Sequence, residues 1–130
     1  MSIFEKPNSR FTASFVGMKN INPITNQAGK ISIKDKNIKI ISAHKPGLND
    51  EFMGIRPEDI SLTTRTNFYK NCYTGKIKKI TSHGIFLNIY LQTHNLQFEA
   101  IWPRSYLRDH DLYTGKTVMF GFHPESVHTF

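Results

Sequence analysis

Three groups of residues have types and spacing that invite a chemical reading. Gly115-Lys116-Thr117 matches the end of a phosphate-binding loop, in which backbone amides and a lysine cradle the phosphates of a nucleotide. That loop also needs a glycine five positions before the second one, where this chain has His110, and a helix afterwards to aim amide dipoles at the phosphates. The alternation that follows Thr117 is that of a strand, so the tripeptide reads as a turn and not as a nucleotide site. His123 and His128 bracket Pro124-Glu125-Ser126-Val127, but a zinc site wants several His or Cys ligands at compatible spacing. Two histidines five apart beside a proline, with no cysteine near, do not make that set. Serine, histidine and aspartate all occur, yet a catalytic triad is defined by geometry and spacing marks no nucleophile–base pair here. The third group is the interleaving of ten Phe, five Tyr and one Trp with lysines, the composition of a stacking platform for single-stranded nucleic acid. Most of these rings fall at alternating, core-facing positions such as Phe98, Trp102, Phe120 and Phe122, which reads as packing.

Strands must position these side chains. From Gly84 to Gln92, Ile85, Leu87, Ile89 and Leu91 share one face while Phe86, Asn88 and Tyr90 share the other, the period of two of a half-buried strand. Phe98, Ala100 and Trp102 repeat the pattern after Thr93-His94-Asn95, so the two runs predict a hairpin. Val118, Phe120 and Phe122 alternate with Thr117, Met119 and Gly121. Ile31 with Ile33 and Ile38 with Ile40 form a short pair across the polar turn Lys34-Asp35-Lys36-Asn37. Gly29-Lys30, Gly75-Lys76 and Gly115-Lys116 are each expected to open a strand, as turn chemistry and not as a duplication. One short helical turn is expected over residues 105–110, capped by Ser105. Lys76, Lys78 and Lys79 are expected on a solvated strand face, and Cys72 as a small buried hydrophobe. Short strands punctuated by Gly, Asn, Asp and Pro define an all-β chain, a small barrel or sandwich with an N-terminal strand arm. Segment 43–51, rich in turn formers, is the expected linker between arm and barrel.

The chain's 130 residues, 38% hydrophobic, suffice for one modest globular unit. Seventeen Lys+Arg against ten Asp+Glu give a formal +7, which favours solubility and suits a phosphate backbone, an anionic ligand or an acidic partner. No apolar run approaches the roughly 20 residues of a membrane-spanning helix. Met1-Ser2-Ile3-Phe4-Glu5-Lys6-Pro7 is too short and too charged for the apolar region of a signal peptide. Cys72 is the single cysteine, so no internal disulfide forms and a reducing cytosol is expected.

Two stretches resemble a known family. Phe52-Met53-Gly54-Ile55-Arg56-Pro57-Glu58-Asp59-Ile60 resembles the Gly-x-Arg-Pro-Glu-Asp/His-Ile segment that follows the nucleotide-binding domain in ABC importer ATPases, and residues 120–130 resemble the last strand of the same region. Residues 3–7 and 11–20 look like the junction with the ATPase domain. The resemblance implies an OB-like Greek-key small barrel of the transport-associated (TOBE) type over residues 52–130, a strand arm and linker over 21–51, and a junction over 1–20. It also implies that the ATPase half, with its P-loop and signature motif, precedes Met1, so the chain would be a fragment. ATP and magnesium would belong to that half, with no cofactor and no catalysis here. The implied partners are the transporter's membrane subunits, reached through the parent ATPase at the cytoplasmic face of the membrane, and a second copy in a homodimer; nucleic acid is not implied.

Arg56, Pro57, Glu58 and Gly75 carry the structural part of the resemblance, with Arg56 expected to end a strand and pair with a carboxylate because Pro57 holds the preceding residue extended. Molybdate-binding barrels of this type show Ser-Ala-Arg-Asn-x-x-x-Gly-x-Val. Residues 68–77 keep Asn71 and Gly75 at that spacing but place Phe68 at the serine and Lys70 at the arginine. Arg104-Ser105 resembles the family's serine-containing turn, and His123 stands where a lysine is usual. The resemblance therefore implies an oxyanion site, for molybdate or tungstate, from Lys70, Asn71, Arg104, Ser105 and His123. The alternative, from a different class, is an OB-fold module for single-stranded nucleic acid.

Overall fold

The computed structural model describes residues 19–28, 30–34, 36, 38–65 and 69–130. The expected junction over residues 1–20 lies almost wholly outside them, as do Gly29, Asp35, Asn37 and Phe68. The described residues are nearly all-β, in two five-stranded antiparallel sheets. They divide into two compact units, one comprising those up to Arg56 together with His123–Phe130, the other those within Pro57–Phe122.

The first unit contains β1 (Asn20–Gln27), β2 (Lys30–Ile33), β3 (Ile38–Ile40), β4 (Phe52–Ile55) and, from the far end of the chain, β10 (His128–Thr129). Their order is β10-β4-β1-β2-β3. β1 changes partner midway: Asn20–Pro23 pair with β4, and Ile24–Gln27 pair with β2. Pro23 sits at the change, where its missing N–H removes the least from either ladder. Ile31 and Ile33 face Ile40 and Ile38 across the expected polar turn, and all four are buried. Phe52 and Phe130 stack at 6.0 Å and exchange both backbone hydrogen bonds, at 2.9 and 3.0 Å. Segment 43–51 contains no strand but is tied down by Asp50, whose Oδ2 accepts from the Gly47 N–H and the Thr129 hydroxyl, both at 2.7 Å. Because β4 pairs with β1, residue 52 lies in the same unit as the arm.

The second unit contains β5 (Ser61–Thr63), β6 (Asn71–His83), β7 (Phe86–Thr93), β8 (Leu96–Pro103), a single helical turn α1 (Tyr106–Asp109) and β9 (Thr117–Phe122). β6, β7 and β8 form a meander, and β9 returns past α1 to lie beside β6. The resulting order β9-β6-β7-β8, with β5 added outside β9, is a Greek key. Leu87, Ile89, Leu91, Phe98, Ala100, Trp102, Phe120 and Phe122 are all buried, as their alternation predicts. Tyr73, Phe98, Phe120 and Phe122 pack as one aromatic cluster with centroids 5.7–6.3 Å apart. The Trp102 indole N–H donates to the Ile60 carbonyl at 2.8 Å, linking β8 to the 3-10 turn Pro57–Asp59 that leads into β5.

Several local expectations change. Ile85 was expected on the buried face, but β7 begins at Phe86 and Ile85 is 75% exposed. Gly84, at φ 66°, makes a two-residue turn with Ile85 and takes it out of the alternation. Gly75 does not open a strand; it lies inside β6 opposite Val118. A Cβ there would lie 2.6 Å from the Gln92 carbonyl oxygen and 3.0 Å from Phe120 Cε1, so neighbouring backbone and ring occupy its place. The helical turn forms where expected, but the Ser105 side chain makes no capping hydrogen bond. Cys72 is half-buried. Lys76, Lys78 and Lys79 are exposed as expected, with a bulge between Ile77 and Lys79.

Gly75→Ala is expected to destabilise the protein by about 1–3 kcal/mol, the usual cost of overpacking; urea denaturation should show a lower midpoint at unchanged slope. The Tyr73 hydroxyl donates to Asn71 Oδ1 at 3.3 Å, and burial first, then the charge Cys72 can carry, push this phenol well above its ordinary value of 10.0. The folded state therefore keeps the proton longer than the unfolded chain, so the Tyr73 contribution to stability is full below pH 10 and declines as pH rises beyond it. Tyr73→Phe should cost about 1 kcal/mol at pH 7, and the gap from wild type should narrow above pH 10 in denaturation series.

Candidate functional site

The cleft that holds two of the five sequence-marked site residues, Arg104 and Ser105, lies at one end of the second unit's sheet, beside the β6–β7 hairpin. Local chemistry builds it. Gly84 permits the tight turn, and the Ile85 carbonyl then accepts the Arg104 N–H at 2.8 Å, stapling the hairpin tip to the segment after β8. The Ser105 carbonyl accepts from Arg108 and Asp109, at 3.1 and 2.9 Å, and so starts α1. Tyr106 packs at 6.2 Å from Trp102 and 4.5 Å edge-on to His110, which sets the turn against the sheet. The cleft of about 870 Å³ has Ile85, Phe86, Pro103 and Leu107 as its apolar wall and Arg104, Ser105 and Arg108 as donors. Among the described residues no carboxylate lines it. Arg108 Nε lies 3.4 Å from Asp109 Oδ1, an exposed pair that exchanges readily with water. Chemically, the cleft offers two guanidinium forks and a hydroxyl beside exposed apolar surface, a set that suits an anion or an acidic, partly apolar surface.

The five residues marked as an oxyanion set are not brought together within one unit. Arg104 and Ser105 are adjacent and exposed in this cleft. Lys70 is exposed and Asn71 is only 1% exposed, at the opposite end of β6, where Asn71 pairs with Phe122 in the ladder. Twelve residues of strand separate Asn71 from the hairpin end of β6. His123 is exposed and belongs to the other unit, just before the 3-10 turn Pro124–Ser126. Arg56 is half-buried and follows the end of β4; Pro57 is buried and opens the next 3-10 turn, whose Glu58 is exposed. Arg108 went unmarked in the sequence. Its signal was its position one helical turn from Arg104, visible only once α1 is known to form.

The Gly115-Lys116-Thr117 turn is structural. Lys116 Nζ donates to the carbonyls of His110 and Asp111, at 2.6 and 3.0 Å, and lies 5.7 Å from the Tyr113 ring centroid. Gly115 takes φ 97°, and Thr117 begins β9, so a strand and not a helix follows. The lysine that resembles a phosphate ligand thus holds the loop between α1 and β9.

Residues 53–130 match the family described as the TOBE domain, and the chain belongs to that family. It is 36% identical over 70 residues to the Fe(3+) ions import ATP-binding protein FbpC 1 of Pectobacterium atrosepticum, a match covering 54% of this chain and 20% of that protein. The chain thus spans about a fifth of the length of the curated relative it matches. Among solved structures, the cytoplasmic molybdate-binding protein ModG with molybdate bound superposes with a TM-score of 0.61 at 12% identity, over 86% of this chain and 92% of that one. At that identity the likeness shows the fold. Among the described residues no helix is long and apolar enough to cross a membrane.

Lys116→Ala is expected to cost about 1.5–3 kcal/mol, the usual worth of charge-assisted hydrogen bonds. The exposed Arg104→Ala and Arg108→Ala should each stay within about 0.5 kcal/mol of wild type. Thermal melts of the three variants check this ordering.

Proposed function

We propose that this chain is the regulatory accessory module of an ABC importer's ATP-binding subunit, acting through contacts with a second copy and responsive to an oxyanion such as molybdate or tungstate. The observation that carries the reading is the TOBE match over residues 53–130, supported by the 36% identity with an importer ATP-binding protein. In this reading residues 52–130 are the module, residues 21–51 its strand arm, and residues 1–20 the junction with an ATPase domain. ATP and magnesium belong to that domain, and the module performs no chemistry of its own. It works at the cytoplasmic face of the membrane, reaching the membrane subunits through the ATPase.

The oxyanion part has a geometric requirement. Arg104 and Ser105 are exposed, and a tetrahedral anion held only by exposed donors competes with water. A second copy removes that difficulty if it covers the cleft, and it is also what would bring the exposed Lys70, next to the far end of β6, toward Arg104, while the buried Asn71 holds the strand behind it. Anion and homodimer then become one equilibrium: the anion shifts it only by as much as it prefers the paired arrangement. His123 belongs to the proposed set through the family pattern alone.

Titration calorimetry with molybdate, tungstate and sulfate, alongside sedimentation equilibrium, tests both parts. Heat with at least one anion, reduced at least tenfold in affinity by Arg104→Ala and accompanied by dimer formation, is the expected outcome. Absence of heat with all three anions ends the oxyanion part, and a monomer at every concentration ends the dimer part. Tight binding of single-stranded DNA that weakens steeply with salt, through counterion release, would instead favour the nucleic-acid reading.

A further inference from the structure

We propose that a second cleft in the Pro57–Phe122 unit, between β6, β7 and the start of β9, binds a small organic phosphate ester. It lies beside the β7–β8 turn, at the opposite end of β7 from the Arg104 cleft, and takes none of the residues assigned there. Lys76 and Lys78 supply two ammonium groups, Thr74 and Thr117 hydroxyls, Gln92 and Asn95 amides, and His94 an imidazole. Among the described residues no carboxylate lines the cleft. Lys76 and Lys78 both line the cleft, so one dianionic group there can meet two ammonium groups.

The fold builds this cleft through four independent constraints. Gly75 lines it, and a Cβ there would meet the Gln92 carbonyl at 2.6 Å, so the lack of a side chain lets β6 and β7 approach so closely. The Thr93 hydroxyl is buried and donates to the Thr74 carbonyl at 2.8 Å, which locks the end of β7 across β6. His94 and Asn95 both hold left-handed backbone, φ 49° and 62°, in a two-residue turn that fixes where their side chains leave the chain. The bulge between Ile77 and Lys79 leaves Lys78 outside the ladder register, and bulges of this kind commonly re-aim a side chain at a site.

The mixed lining sets the class of ligand, and the cleft of about 510 Å³ has room for one with an organic body. The lysine stems and threonine methyls can cover that body while the ammonium and hydroxyl groups meet the phosphate. A phosphate monoester carries close to two negative charges at neutral pH, matched by Lys76 and Lys78.

Calorimetry at low salt tests the proposal, with glucose 6-phosphate and adenosine 5′-monophosphate as probes and with glucose, adenosine and inorganic phosphate as controls. At least one ester should bind, its dephosphorylated parent should not, and inorganic phosphate should bind at least tenfold more weakly. The double variant Lys76→Ala/Lys78→Ala should lose tenfold or more in affinity, whereas Arg104→Ala should bind the ester unchanged. Amide shifts on titration should centre on residues 74–78 and 92–95. Both lysines are exposed, so a melt at the wild-type temperature is expected to accompany the loss. The proposal is overturned by binding of neither ester, by undiminished binding in the double variant, or by inorganic phosphate binding as tightly as the esters. Because the Arg104 cleft is separate, such a failure leaves the accessory-module reading standing, and loss of oxyanion binding leaves this one standing.

Discussion

One buried hydrogen bond ties the two outer sides of the Greek key in the second unit. The Trp102 indole N–H reaches the Ile60 carbonyl at 2.8 Å, across 42 residues of sequence, and so draws the outer strand β8 against the turn that feeds β5. A five-stranded sheet with a free outer strand presents unpaired backbone and one apolar face; tying its two sides together shelters both. The indole suits the task because it is a donor only, on a ring large enough to fill the space it spans. Around it, Tyr73, Phe98, Phe120 and Phe122 fill the interior, and the missing side chain of Gly75 admits Phe120 and the Gln92 backbone. Bulky rings and an absent side chain are here two halves of one packing solution.

Local features of this architecture could be read from the sequence, and long-range ones could not. Leu87, Ile89, Leu91, Phe98 and Phe120 announce their faces because a strand's alternation is written in neighbouring residues. Ile85 continues the same alternation yet lies outside, because Gly84 places it in a turn, which periodicity alone does not register. Gly75 looks like a strand-opening glycine until Gln92 and Phe120, both distant in sequence, are seen to occupy its side-chain position. The pairings of β10 with β4 and of β9 with β6 join residues dozens of positions apart and leave no periodic trace. The family resemblance implied a Greek key, and the joining of β4 and β10 to the arm's sheet appears only in the structure.

The candidate site divides along the same line. Arg104 and Ser105 are neighbours in the chain and stay neighbours in space, so a motif reading found them together. Lys70 and Asn71 were joined to them by a linear pattern, whereas the strand carries the two pairs to opposite ends of a sheet. Arg108 was missed because its nearness to Arg104 exists only on a helical turn four residues long. Lys116 shows the reverse error avoided: a familiar tripeptide whose lysine is consumed by two carbonyls of its own loop.

The double service of β1 has a mechanical consequence. Its first half carries β4 and β10 and its second half carries β2 and β3, so the two wings hang from a common spine without touching the same rungs. Peeling away either wing leaves the other fully laddered, whereas losing the spine leaves two separate strand pairs, β4 with β10 and β2 with β3. Pro23 therefore marks the joint at which either wing can open without the other.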